Sequence, residues 1–132
     1  MLNPYILVFI GGAFGTLLRI LLGLVPGDSE FPWVTFVINI TGAALLGALY
    51  GLTSRLFVST SASAQMRLLL GTGLMGGYTT YSTLAVGTDG LILGDHLLLG
   101  AAYAVPTVAL GILSAFLAER ACRTRTVPAD RA

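Results

Sequence analysis

The chain has 132 residues, of which 55% are hydrophobic and 10% charged, with seven arginines, no lysine and a net charge of +1. Soluble domains carry about 25% charged residues, so this chain has too little polar surface to cover a soluble globule, and lipid is the better solvent. The charge also lacks the clustered basic face of a nucleic-acid binder. Cys122 is the one cysteine and His96 the one histidine, which leaves no intramolecular disulfide and no constellation for enzyme catalysis.

The start, MLNPYILVFIGG, lacks the basic segment and small-residue cleavage pattern of a signal peptide. The first apolar run is therefore read as a retained span. A membrane helix needs roughly 20 mainly apolar residues, and four runs qualify, at about 5–25, 33–52, 66–86 and 97–118. They predict an all-α membrane protein with a single domain over residues 1–132. The first run ends at the turn signal Pro26-Gly27-Asp28. Arg19, near that end, either snorkels to the interface or gives a cationic vestibule that attracts anions.

The second run contains Asn39, a lone amide in TFVINITGAALLG. Polar residues within spans face a bundle interior or an aqueous path; the simpler role for Asn39 is an interhelical hydrogen bond. Arg55 and the polar stretch at residues 59–63 close this run. Gly11 and Gly15, Gly47 and Gly51, and Gly73 and Gly77 each form a small-xxx-small face that lets helix backbones approach closely in lipid. Close packing within one subunit is their simplest use.

The third run is the informative one. Between Gly76 and Thr83 lie two glycines, three threonines, one serine and two tyrosines. Glycine is a poor helix former and β-branched threonine lowers propensity slightly, so a break in the helix is expected here. The opposing reading is an intact helix whose threonines bond back to its own carbonyls. Irregular backbone at membrane depth survives only where protein buries it or water lines it, and the groups it frees bind ions in discontinuous spans. The fourth run places Tyr103, Thr107 and Ser114 roughly on one face, with Pro106 as a kink site. A polar tail, ERACRTRTVPADRA, follows.

Arginine placement predicts topology. Arg55 and Arg67 flank the second connection, and Arg120, Arg123, Arg125 and Arg131 lie in the tail. The N-terminus and the other two connections hold only Asp28, Glu30, Asp89, Asp95 and His96. Cytoplasmic segments are enriched in Lys and Arg, so both termini are expected to face the cytoplasm, in the inner (plasma) membrane. No carboxylate lies deep within a run, which disfavours a proton-coupled multidrug or cation exporter. What remains is a path of neutral donors. Transfer of a small ion to a dry medium costs about 20 kcal/mol, and each hydrogen bond to a charge recovers about 1.5–3 kcal/mol, so several donors must act in series. Hydroxyls, amides and aromatic ring edges suit an anion.

Four pieces in order, GGAFGTLLR (11–19), TFVINITGAALLG (35–47), GLMGGYTTYSTL (73–84) and Tyr103, resemble the CrcB family of fluoride channels, also called Fluc. The resemblance implies an antiparallel dimer with two fluoride pores that discharge cytoplasmic fluoride. It implies that Asn39 stands in the pore and that the backbone carbonyls of Gly76 and Thr79 hold a structural sodium ion at the dimer centre. Thr80, Ser82, Thr83, Tyr103 and Thr107 are the matching candidates for a hydroxyl track. Two departures stand out. The family's two phenylalanines, whose ring edges contact fluoride, are replaced by Tyr81 and Leu84, and a frequent acidic residue by Gly87. An antiparallel homodimer needs one sequence to insert both ways, whereas six arginines on one side against none on the other specify one orientation. The expected assembly is thus a heterodimer with an oppositely inserted homologue that supplies the missing aromatic. A non-conducting accessory subunit is the other reading that Leu84 and Gly87 permit.

Overall fold

The structure, a computed structural model, describes residues 3–26, 29–56 and 60–123. All the secondary structure among them is helical. Gly27 and Asp28 of the first turn signal, Ser59 of the second connection, and Arg125 and Arg131 of the tail lie outside the described residues. Three helices are long and apolar enough to cross a membrane: α1 (Pro4–Gly23), α2 (Trp33–Leu56, counted to Arg55 as a span) and α6 (Leu97–Arg123). Their outer faces carry large apolar side chains with no protein cover, among them Phe9 at 76% exposure and Leu98 at 86%. Such continuous apolar surface marks contact with something other than water.

Local signals start and stop these helices. Asn3 caps α1 by accepting the Tyr5 N–H at 3.0 Å, with Pro4 in the first turn, where its missing N–H costs nothing. α6 runs through Pro106 without interruption. Between α2 and α6 the chain is helical but irregular. α3 (Thr60–Met66) leads into a π-helical stretch, Arg67–Met75, and a single turn α4 (Gly76–Tyr78); after two extended residues, α5 (Tyr81–Leu93) follows. The helical region therefore begins earlier and ends later than the apolar run at 66–86. The polar TSASAQM segment still satisfies its own backbone as a helix, and Asp89 falls inside α5 rather than in a connection. Asp95 then adopts a left-handed φ of 61°, which an aspartate tolerates better than a branched residue, and His96 N–H closes the turn on Leu91 O at 2.9 Å.

Glycine sets the packing. A Cβ on Gly11 or Gly15 would run into the Leu69 or Leu74 carbonyl, and one on Gly73 would sit 2.9 Å from Val8 O. α1 thus lies backbone to backbone on the π-helix. Gly47 and Gly51 do the same for α2 against Ala115 and Glu119 of α6. All three small-xxx-small faces are used inside this one chain. The register rises in step in both pairs: Gly11 and Gly15 meet Leu69–Tyr78 in order, and Gly47 and Gly51 meet Ala115 and Glu119 in order. α1 therefore runs parallel to the π-helical stretch, and α2 parallel to α6. At the arginine-bearing end, Arg67 Nε donates to Thr53 Oγ1 at 2.9 Å, Nη2 donates to Ser54 Oγ at 3.1 Å, and the guanidinium lies 4.7 Å from the Tyr50 ring centroid.

Candidate functional site: the break after Tyr78

The helix ends because Thr79 turns to ψ 158° and Thr80 to φ −146° and ψ 120°. Thr79 still belongs to the preceding turn; its N–H and its hydroxyl both donate to Met75 O, at 2.9 and 2.8 Å. Thr80 leaves it. Its N–H donates to Asn39 Oδ1 at 2.8 Å, and Asn39 Nδ2 donates back to Thr80 O at 3.0 Å. The carboxamide thus stands in for a peptide group, satisfying both backbone atoms that the break strips of helical partners. Left unpaired when buried, each would cost about 1–3 kcal/mol. Thr80 also caps α5: its hydroxyl accepts the Thr83 N–H at 3.2 Å, donates to Thr83 Oγ1 at 3.0 Å and lies 3.3 Å from Ser82 Oγ. Three hydroxyls are linked at the start of one helix.

α2 supplies more than Asn39. Gly42 leaves the room that the Thr79 methyl and the Tyr78 ring occupy, and Tyr78 Oη lies 3.1 Å from Thr41 Oγ1. Neither Gly42 nor Tyr78 stands out as a site residue in the sequence. The signal available was spacing, since Gly42 follows Asn39 by three residues and shares its face.

An open groove of about 430 Å³ runs along the break. Of the residues expected at the site, Asn39, Gly76, Thr79, Thr80, Tyr81 and Thr107 line it, with apolar walls from Leu46, Val108 and Ile112. Among the described residues, no carboxylate, arginine or histidine lines it. A primary amide has two donor hydrogens and two acceptor lone pairs, so after pairing with Thr80 Asn39 keeps one of each. Tyr81 is 82% exposed at the groove's edge. Gly76 is exposed, with nothing within 4 Å of where a Cβ would stand. Because the Thr80 N–H is turned to Asn39, the Gly76 carbonyl is not capped one turn on.

The remaining candidates lie elsewhere. Ser82 and Thr83 are exposed on α5, tied to the groove only through Thr80. Thr107, part of the groove wall, is buried and donates its hydroxyl to Tyr103 O; Ser114 donates to Gly111 O at 2.9 Å and Ile40 O at 3.2 Å. Arg19 is half-buried on α1, one turn beyond Gly15. Tyr103 is fully buried in a cluster with Leu84 and Leu91; its hydroxyl makes no hydrogen bond of good geometry among the described residues, and the Thr35 side chain is the group that comes near to pairing with it. Leu84, at 7% exposure, belongs to this core and also reaches the wall of the groove at the break. A side chain at Gly87 would press on Tyr103, 3.2 Å from its ring. Since the Tyr103 hydroxyl makes no hydrogen bond of good geometry among the described residues, Tyr103→Phe is expected to unfold at the wild-type temperature or slightly above it. Thermal melts in detergent check this, and a marked loss of stability would reveal a partner for the hydroxyl.

Comparison with known proteins places these features in a family. A model of the CrcB-like protein family (Camphor Resistance, CrcB) matches residues 6–119. Fluoride-specific ion channel FluC 1 of Mycobacterium bovis is 44% identical over 113 residues, covering 84% of this chain and 83% of that protein. Fluoride-specific ion channel FluC 2 of Bacillus licheniformis is 40% identical over 116 residues, 88% of this chain and 84% of that protein. A fluoride-specific ion channel FluC of Thermus thermophilus is 41% identical over 122 residues, 90% of this chain and 94% of that protein.

Proposed function

This chain belongs to the CrcB-like family, and we propose that it is a fluoride-selective channel subunit that lowers cytoplasmic fluoride by passive export. The observation that carries the reading is the groove at the break, where an amide and hydroxyls gather among apolar walls without a charged side chain. Fluoride entering as HF dissociates in a neutral cytoplasm. An inside-negative potential then favours exit of the anion by about 2.3 kcal/mol per 100 mV. A groove without a carboxylate suits such a path better than proton-coupled export.

In this reading the broken helical stretch is the third of four crossings. The parallel register of α1 with the π-helix, and of α2 with α6, supports that count, because successive crossings alternate in direction. Arg55, Arg67, Arg120 and Arg123 near the ends of α2, the π-helix and α6 support cytoplasmic termini in the plasma membrane. Sodium is proposed as a structural ion: the freed carbonyls of Gly76 and Thr79 are hard oxygen ligands, and two subunits would supply four. Bound there, the ion would hold two breaks together as a fixed positive charge.

The antiparallel assembly is proposed to be unequal, with an oppositely inserted homologue as the partner. The arginine bias supports this. So does the pair of side chains at the groove, where Leu84 brings no aromatic ring and Tyr81 is left exposed for a neighbour. The chain reconstituted alone in liposomes is expected to release fluoride slowly or not at all. Co-expression with a homologue of opposite arginine bias and aromatics at both positions is expected to restore efflux on a fluoride electrode. Robust efflux from this chain alone would overturn the obligate partner while leaving the channel itself standing.

A further inference from the structure

The Tyr103 hydroxyl is fully buried and makes no hydrogen bond of good geometry among the described residues, with Thr35 the polar side chain beside it. A Cβ built on Gly87 would lie 3.5 Å from Tyr103 Oη and 3.3 Å from Pro32 Cγ. The hydroxyl therefore sits beneath the connection between α1 and α2. Tyr103 lines neither the groove at the break nor the one along α5. Its other neighbours are carried on helices: Leu84 and Gly87 on α5 and Thr35 on α2. Phe31 and Pro32 are the part of this cover that lies outside any helix.

Phe31 packs its ring against that of Tyr103. It meets Tyr103 edge to face, with centroids 5.3 Å apart and planes at 82°, and packs on Phe36 at 5.6 Å and on Trp33 at 4.3 Å. Local bonds hold it down: its carbonyl accepts the Ser29 hydroxyl at 2.9 Å and the Trp33 N–H at 2.8 Å. We propose that Phe31 is a lid that must lift from Tyr103 before an anion can accept a hydrogen bond from the Tyr103 hydroxyl. The proposal rests on the fluoride-channel reading for the identity of that anion. Gly87 belongs to the same device, because the space its missing side chain leaves is what lets the ring lie sealed beneath Pro32.

Trp33 is the one tryptophan of the chain and touches the lid, so it reports on lid movement without any flux. The full-length protein in liposomes is titrated with sodium fluoride, with sodium chloride at matched ionic strength as the control. Wild type is expected to show a saturable change in Trp33 emission with fluoride and none with chloride; Tyr103→Phe is expected to show neither. In Phe31→Ala the half-saturating fluoride concentration should fall at least threefold, since binding no longer has to select the open lid. Phe31→Leu, which keeps the core filled, should fall between the two and covers the case in which Phe31→Ala folds poorly. Unchanged or raised half-saturation in both Phe31 variants overturns the lid. So does a wild-type response in Tyr103→Phe, or no fluoride response in wild type. Fluoride retention by host cells lacking this chain tests the channel reading separately: retention with no emission response removes the lid alone, while normal clearance counts against the channel.

Discussion

Gly15→Ala is expected to destabilise the folded protein by about 3 kcal/mol, the upper end of the usual overpacking range. The new Cβ would meet the Leu74 carbonyl, with Tyr78 N 2.8 Å away. Both are backbone atoms of the stretch that leads into the break, so no side chain can swing aside, and α1 would have to move bodily. Gly11→Ala presses on Leu69 O and Leu74 N in the same way, and the two changes together should abolish a monodisperse peak on size exclusion in detergent. Gly76→Ala is the control. Nothing lies within 4 Å of its Cβ position, and exchanging glycine for alanine in a helical turn is worth up to about 1 kcal/mol. It should melt at or above the wild-type temperature. A Gly15→Ala variant that melts with wild type would show that α1 does not rest on the π-helix at backbone distance.

These glycines also show what the sequence could and could not convey. Their spacing announces close approach, and the structure finds that approach within the chain at all three pairs. Spacing alone cannot distinguish a neighbour in the same chain from one in another. Hydropathy located α1, α2 and α6 well because their lipid-facing sides are apolar along the whole length. It clipped the third region, where the polar Thr60–Met66 and the glycines after Val86 lower the average while the backbone stays helical. A break within Gly76–Thr83 was legible from glycine and threonine together. Its place at Thr79–Thr80 was not, because the choice is made by Asn39, 41 residues away. The π-helical stretch had no local signal in RLLLGTGLM. The hydroxyl candidates divide by helix rotation, which a run of threonines does not encode: Thr80 faces the groove and its cap, while Ser82 and Thr83 face outward. The glycine faces are used internally, and exposed Thr72, Gly76 and Tyr81 share another surface. That is the side on which the groove opens.

Asn39→Ala is expected to lower fluoride efflux through the assembled channel by more than tenfold, and the reason is double. The variant removes the one donor that Asn39 still offers the groove, and it unclamps the break. Thr80 N–H and Thr80 O would both lose their partner, at about 1–3 kcal/mol each. Loss of flux alone therefore cannot identify a pore-lining role, because a misplaced break would cost flux as well. Hydrogen exchange at the Thr80 amide separates the two. In Asn39→Ala that amide should exchange faster than in wild type, in step with the lost efflux. Asn39→Asp keeps an acceptor for the Thr80 N–H but has no donor and sets a negative charge beside the Thr80 carbonyl and the anion path. It should retain much of the Thr80 protection and still lose transport. If Asn39→Ala instead transported normally in the assembled channel, this subunit would be accessory, with its groove outside the conducting path. If the Thr80 amide also stayed protected, the reciprocal pairing across the break would itself be refuted.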